Sequence, residues 1–171
     1  MTLPLALLPF QGMDERTMAR LAAQLGERGF ACSVLQEAAI PPEAYNQLRA
    51  QYRVERLLET TRQAVAGRVL GVADLDLYAK GFNYIFGMAD RLGRAAVISV
   101  ARLRASADEA RFQTRMLKEA VHELGHTLGL THCPHPTCVM HFSNTLADTD
   151  RKDVDYCAEC RSRLAALRVD L

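Results

Sequence analysis

A chain of 171 residues, 49% hydrophobic and 24% charged, fits one domain with a core that needs neither disulfide nor metal to form. Its 21 basic and 20 acidic side chains leave a formal charge of +1, which argues against a nucleic-acid binder. No apolar run reaches the ~20 residues that span a bilayer, so no membrane partner is expected.

Leu3 to Leu8 is an apolar run between prolines and reads as a first strand. The first ten residues lack the basic flank and small-residue cleavage site of a signal peptide, so a cytoplasmic location is expected. Thiols stay reduced there, and spaced cysteines serve metals more often than disulfides. Asp14 can cap a helix with Met18, Leu21, Ala22 and Leu25 on one face and Gly29 at its end. Phe30 to Leu35 is a second strand. After Pro41 and Pro42 a helix runs from about Arg53 to Ala66. Arg49, Arg53, Arg56 and Arg62 could suggest an anion site, but Glu55 and Glu59 balance them as a solvated face.

Val69 to Val72 is a third strand. Asn83 to Met88, with Tyr84, Ile85 and Phe86, is a fourth, and Ala95 to Val100 a central fifth, apolar on both faces. Ser106-Ala-Asp-Glu109 has the form of a capping box opening a helix that runs to about Leu128 and stops at Gly129. A loop region and a short helix from about Ala158 to Leu167 complete the chain. The expected fold is α/β, a mixed twisted sheet of about five strands packed with helices, in a single domain over residues 1–171. Residues 1–129 carry the sheet and the long helix, and residues 130–171 a smaller C-terminal part.

His122-Glu123-Leu124-Gly125-His126 lies near the end of that long helix. Side chains four apart stack on one helix face, so both imidazoles can reach one ion. Glu123 faces a neighbouring direction and can reach a metal-activated water as general base. A helix cannot also deliver His132, so the chain must turn, and Gly129 is the residue that tolerates such a turn. His122, His126 and His132 then supply three nitrogen ligands and leave one position open. Cys133 and Cys138 form one close pair and Cys157 and Cys160 another, the spacing of a tetrahedral four-cysteine zinc site; two disulfides are the competing reading.

These motifs resemble the metzincin clan of zinc peptidases, and the cysteine pairs resemble its archaemetzincin family. The resemblance is carried by residues 121–160, with weaker likeness at Arg49–Tyr52, Val69–Tyr78 and Asn83–Gly87. It implies two Zn2+ per chain, one catalytic and one structural, and a turn methionine beneath the histidines, for which Met140 is placed. It also implies a sheet lying above the active-site helix, with an edge strand bordering the cleft, for which Asn83 to Met88 is the candidate. An exposed edge there can hydrogen-bond an extended peptide through Tyr84, Ile85 and Phe86. In some metzincins a tyrosine two residues after the turn methionine assists the chemistry; here that residue is Phe142, without a hydroxyl.

Several other residues are set aside. Cys32 reads as a buried thiol and His135 and His141 as surface histidines, His141 being also a candidate oxyanion donor. Asp148, Asp150, Asp153 and Asp155 lack the pattern of a calcium loop, and Asp74 and Asp76 sit at turns. The function expected is a monomeric zinc metallopeptidase acting on peptide or protein substrates. The alternatives are a zinc-containing peptide-binding module with little turnover, or a hydrolase of a non-peptide amide.

Overall fold

The computed structural model describes residues 2–91, 93–167 and 169. Five strands form the main sheet: β1 (Leu3–Pro9), β2 (Phe30–Val34), β5 (Val69–Ala73), β7 (Gly87–Ala89) and β8 (Ala95–Ser99). Their spatial order is β2-β1-β5-β8-β7. The first four pair in parallel and β7 runs antiparallel along β8 at the edge.

Alternate residues of the strands feed two cores. Leu5, Leu7, Leu70, Val72, Ala96 and Ile98 face α1 (Glu15–Gly26) and α3 (Glu109–Thr127). Ala6, Leu8, Val69, Ala73, Ala95 and Val97 face α2 (Val54–Ala64). With both faces covered, β5 and β8 are buried along their whole length, which is why these strands read as continuous apolar runs rather than alternating ones. Asp14 caps α1 as expected, its carboxylate accepting from the Thr17 amide at 2.8 Å.

Several elements depart from expectation. Between Pro42 and α2 the chain forms strands of a second, three-stranded sheet made of β3 (Tyr45–Asn46), β4 (Gln51–Arg53) and the later β6 (Leu77–Tyr78). Strands this short leave no periodic signal. The fourth strand begins at Gly87, not Asn83, because the stretch before it leaves the main sheet: Ile85 bridges to Leu77 of β6. There Arg49 and Gln51 take the backbone carbonyl of Asn83, at 3.0 and 2.8 Å. α1 ends at Gly26, and Gly29, at φ +87°, instead turns the chain into β2.

The long helix is capped by Asp108, not Ser106. Asp108 accepts from the Arg111 amide at 2.8 Å, while Ser106 sits in a turn at φ +52°. Glu109, freed from a capping role, pairs with Arg20 at 2.9 Å. The acidic loop contains a short helix, α4 (Leu146–Arg151), with Thr145 and Asp148 as a reciprocal capping box. α5 (Ala158–Ala166) is the last described helix. Among the described residues no helix is long and apolar enough to cross a membrane.

Candidate metal centre

α3 is buried along its C-terminal two-thirds, because it lies beneath the sheet and also carries α4 and the loop that follows it. That burial places His122 and His126 in the interior, one turn apart, with Nε2 atoms 3.2 Å from each other. Each Nδ1 meets a backbone carbonyl at 2.8 Å, Val139 for His122 and Leu130 for His126. A carbonyl only accepts, so each Nδ1 carries the proton and each Nε2 presents its lone pair. Burial is the main reason that both rings sit well below the ordinary imidazole range, His126 at about 4. Neutral rings are what a metal requires.

The third imidazole arrives by the expected turn. Gly129 has φ +99°, and Leu130 folds back to donate its amide to the Gly125 carbonyl at 2.9 Å. The ring of His132 then lies 4.8 Å from that of His126 and 5.3 Å from that of His122. The three donor atoms fall within 4.8 Å of one another. Nitrogens at about 2.0–2.1 Å around a tetrahedral ion would be about 3.3 Å apart, so the buried pair fits zinc.

Glu123 is buried against the edge strand. A Cβ on Gly87 would lie 2.8 Å from both Cγ and Oε1 of Glu123, so only glycine lets the strand approach this close. Burial, and then the charge of Glu119, push the Glu123 carboxyl up to about 8. Met140 is fully buried and packs against Gly125 of α3. A Cβ on Gly125 would collide with its sulfur and come within 3.1 Å of Tyr156, so the second glycine of the site admits the methionine floor.

The four cysteines also converge. Cys133 and Cys157 have sulfurs 3.7 Å apart, as have Cys138 and Cys160. Thiolates at about 2.3 Å around a tetrahedral zinc would be about 3.8 Å apart, whereas a disulfide needs about 2.05 Å. The amides of Met140 and Cys157 both donate to Cys138 Sγ at 3.4 Å. At Cys157 burial opposes ionisation, but hydrogen bonds from the Cys160 backbone and the neighbouring thiols outweigh it and bring this group to about 7, whereas burial pushes Cys133 and Cys160 up.

Tyr84, Ile85 and Phe86 lie beside the centre but are not strand residues. Tyr84 donates its hydroxyl to the Asn144 carbonyl at 2.7 Å and packs its ring on Phe86. Phe142 leans on His132 with ring centres 5.0 Å apart. His141 is tied by Nδ1 to the Cys133 carbonyl at 2.9 Å, in the loop rather than at the cleft. His135 is exposed, and Cys32 is a half-buried thiol on β2 raised by burial. Asp76 pairs with Arg102 at 2.7 Å and Asp150 with the buried Arg115 at 2.7 Å.

Sequence reasoning missed a buried polar group one turn before Glu123. Glu119 Oε1 accepts from Thr149 Oγ1 at 3.0 Å and from Lys152 Nζ at 3.3 Å, and Lys152 is fully buried. No spacing rule joins residues thirty apart. The two glycines, Gly87 in a strand and Gly125 inside a helix, were the signals at hand, since each lies where glycine is locally unfavourable.

A sheet whose edge strand lies along a helix of paired, metal-ready imidazoles is the framework of a zinc metallopeptidase. Residues 31–166 match the model of peptidase family M54, and the chain belongs to that family, the archaemetzincins. The archaemetzincin of Methanocaldococcus jannaschii is 37% identical over 169 residues, covering 96% of this chain and 94% of that one. The crystal structure of the Methanopyrus kandleri archaemetzincin matches with a TM-score of 0.88 at 39% identity, covering 98% of this chain and 96% of that one. The Archaeoglobus fulgidus archaemetzincin, solved in complex with malonate, matches with a TM-score of 0.86 at 39% identity, covering 94% and 99%. This chain is thus a zinc-dependent peptidase acting on peptides or proteins, and its three-histidine and four-cysteine groups could both bind metal.

Proposed function

We propose that this chain hydrolyses peptide bonds with Glu123 as general base, holding one zinc on His122, His126 and His132 and a second on Cys133, Cys138, Cys157 and Cys160. The observation that carries the reading is the His122–His126 pair: Nε2 atoms 3.2 Å apart, each ring fixed in one tautomer by a backbone carbonyl. Zinc, when bound there, supplies a Lewis acid that acidifies water and polarises a carbonyl. The remaining work belongs to the chain. Glu123 takes the water's proton on its carboxylate and returns it to the leaving amine. Gly87 to Ala89 pair with β8 on one side, and their outer edge can hold an extended substrate by backbone hydrogen bonds. Met140 and Gly125 keep the floor apolar and closely packed. The cysteine site ties α5 to the loop that carries His132, so metal there contributes folding free energy. Reduced thiols and a monomeric state in the cytoplasm suit this arrangement.

One observation favours a second reading, a peptide-binding module with little turnover: the residue leaning on His132 is Phe142, which brings no hydroxyl. Two measurements separate the readings. Elemental analysis should give two zincs per chain, falling to one in His122→Ala/His126→Ala. A peptide library should be cleaved by the wild type and about 10²–10⁴-fold more slowly by Glu123→Ala. Full activity in Glu123→Ala would refute the assigned base. Zinc-dependent binding without cleavage would favour the module.

A further inference from the structure

Where the small three-stranded sheet meets the start of α2 lies an open groove of about 720 Å3. Arg49, Arg53, Arg56 and Lys80 line it, together with Glu55 and Glu59. Helical spacing alone lets these two acids neutralise the arginines, but the fold divides them differently. Glu59 is taken by Arg62, outside the groove, and by Gln63, each at 2.7 Å. Arg56 and Lys80 have no ion-pair partner among the described residues. Two further groups are fixed in place. Arg49 donates through Nε to Gln51 Oε1 at 3.0 Å and through Nη2 to the Phe82 and Asn83 carbonyls at 3.2 and 3.0 Å. Those bonds hold its guanidinium 4.3 Å from the centre of the Tyr78 ring. Tyr78 is only 6% exposed, and its hydroxyl oxygen accepts from Asn46 Nδ2 at 3.0 Å. Hydrogen bonds from Asn46 and then from the Arg53 guanidinium hold this phenol below its ordinary range.

A phenol oxygen that accepts twice still has its own proton to donate, and that proton has no acceptor among the described residues. The groove therefore offers several cations and an O–H donor around one concave surface, the chemistry that receives carboxylates. It also adjoins the metal centre. Gly81 lines the groove, and Phe82, the next residue, meets Phe142 edge-on at 6.3 Å, which leans on His132 at 5.0 Å. An extended peptide passing from the histidines over Phe82 advances about 3.3 Å per residue and reaches the cations in roughly four to six residues. The net charge of +1 and the two carboxylates in the lining speak against a nucleic-acid backbone, while the neighbouring cleft supplies a peptide. We propose that this groove is an exosite that docks an acidic stretch of the substrate, directing cleavage to peptides and proteins with Asp or Glu clusters a few residues from the scissile bond. The effect on cleavage rests on the peptidase reading, but the docking of an acidic segment does not depend on turnover.

The test has two arms. In the first, hexaglutamate and hexaglutamine carrying the same fluorophore are titrated into the zinc-loaded protein and followed by anisotropy. Several exposed ion pairs, each worth well under a decade, should together make hexaglutamate bind about 10-fold or more tightly at low ionic strength. The preference should shrink toward none at about 0.3 M salt. It should vanish in Arg56→Glu/Lys80→Glu, where neither side chain has an ion-pair partner to lose, and narrow by about 3-fold in Tyr78→Phe, which removes the hydroxyl. No preference in the wild type, or one that survives the charge reversal, overturns the proposal; so does an oligouridylate that binds more tightly than hexaglutamate. In the second arm, the zinc-loaded protein digests a mixed peptide library, and the residues within about eight places of each cut are read by mass spectrometry. Asp and Glu should be enriched several-fold on one side of the cut, and the charge reversal should turn that enrichment toward Lys and Arg. For a matched acidic and neutral peptide the difference should lie in KM rather than kcat. A library cut with no acidic bias refutes the exosite and keeps the peptidase reading. A library left intact, with hexaglutamate still bound and released by the charge reversal, refutes turnover and keeps the groove.

Discussion

Lys152→Met isolates the buried polar group beneath the active-site helix. The substitution keeps most of the side-chain volume and removes the ammonium. Nζ lies 3.3 Å from Glu119 Oε1, with the two side chains 0% and 4% exposed. At an effective dielectric of about 20 their attraction is roughly 5 kcal/mol. Without it, Glu119 keeps, among the described residues, only the Thr149 hydroxyl as donor and stands one turn from a second buried carboxyl group, Glu123. Leaving a buried charge unpaired costs about 3–5 kcal/mol. In a domain of this size each kcal/mol moves Tm by about 2–4 °C, so a drop of roughly 6–20 °C is expected. Scanning calorimetry at fixed free zinc measures it, because bound metal shifts apparent stability. Glu119→Gln/Lys152→Met should recover about half of the loss or more, since a neutral amide can stay hydrogen-bonded to Thr149. A single-variant loss under about 1 kcal/mol, the range of a surface pair, would refute the buried-pair reasoning. So would a double variant whose effects simply add.

Gly87→Ala should lower kcat while zinc content stays at the wild-type level, because the new methyl lands 2.8 Å from the Glu123 side chain and from the Val97 carbonyl of β8, and its nearest neighbours include no histidine ring; unchanged kcat would show that both can give way. In protein whose histidine site is stripped by a chelator, Glu123 holds its proton up to about pH 8, against an ordinary value of 4.5. Between those values the folded state keeps a proton that the unfolded state has released, so folding weakens as pH rises through that window. Stripped Glu123→Gln should therefore gain stability over stripped wild type from pH 5 to pH 8, in denaturant titrations, and the gap should shrink when zinc is restored; parallel curves would refute it. Cys160→Ser should release the second zinc and lower stability in the same titrations, with elemental analysis falling to one metal per chain; two zincs retained would remove Cys160 from the ligand set.

The strands that matter most to the fold were legible because they are buried on both faces and read as uninterrupted apolar runs, as Val69 to Ala73 and Ala95 to Ser99 do. The histidines were legible because a helix places residues four apart on one face, and Gly129 because a helix end needs its positive φ. What escaped notice depends on contacts far apart in sequence. Asn83 to Phe86 carry strand-like residues, yet Arg49, Gln51 and Leu77 draw their backbone away to the small sheet. Ser106 and Asp108 are both competent caps, and the structure chooses Asp108 while Ser106 sits in the turn before it. Lys152 looks like one more surface lysine until α4 is laid against α3.

The two candidate metal groups are parts of one device. Cys133 follows His132 directly, and its amide donates to the Met140 carbonyl at 2.9 Å. Cys138 and Met140 flank Val139, whose carbonyl fixes the tautomer of His122 at 2.8 Å. The cysteine cluster therefore sets the path of the same short loop that supplies the third histidine, the methionine floor and the acceptor for the first histidine. Metal on the four sulfurs would stiffen that loop, and disorder there would be felt at all three imidazoles. Hence losing the cysteine metal should weaken the histidine site's hold on zinc, whereas losing the histidine metal should leave the cysteine site intact: α3 is held independently by the sheet, whereas the loop is held by a few backbone hydrogen bonds, to itself, to the Asp153–Asp155 segment and to His122.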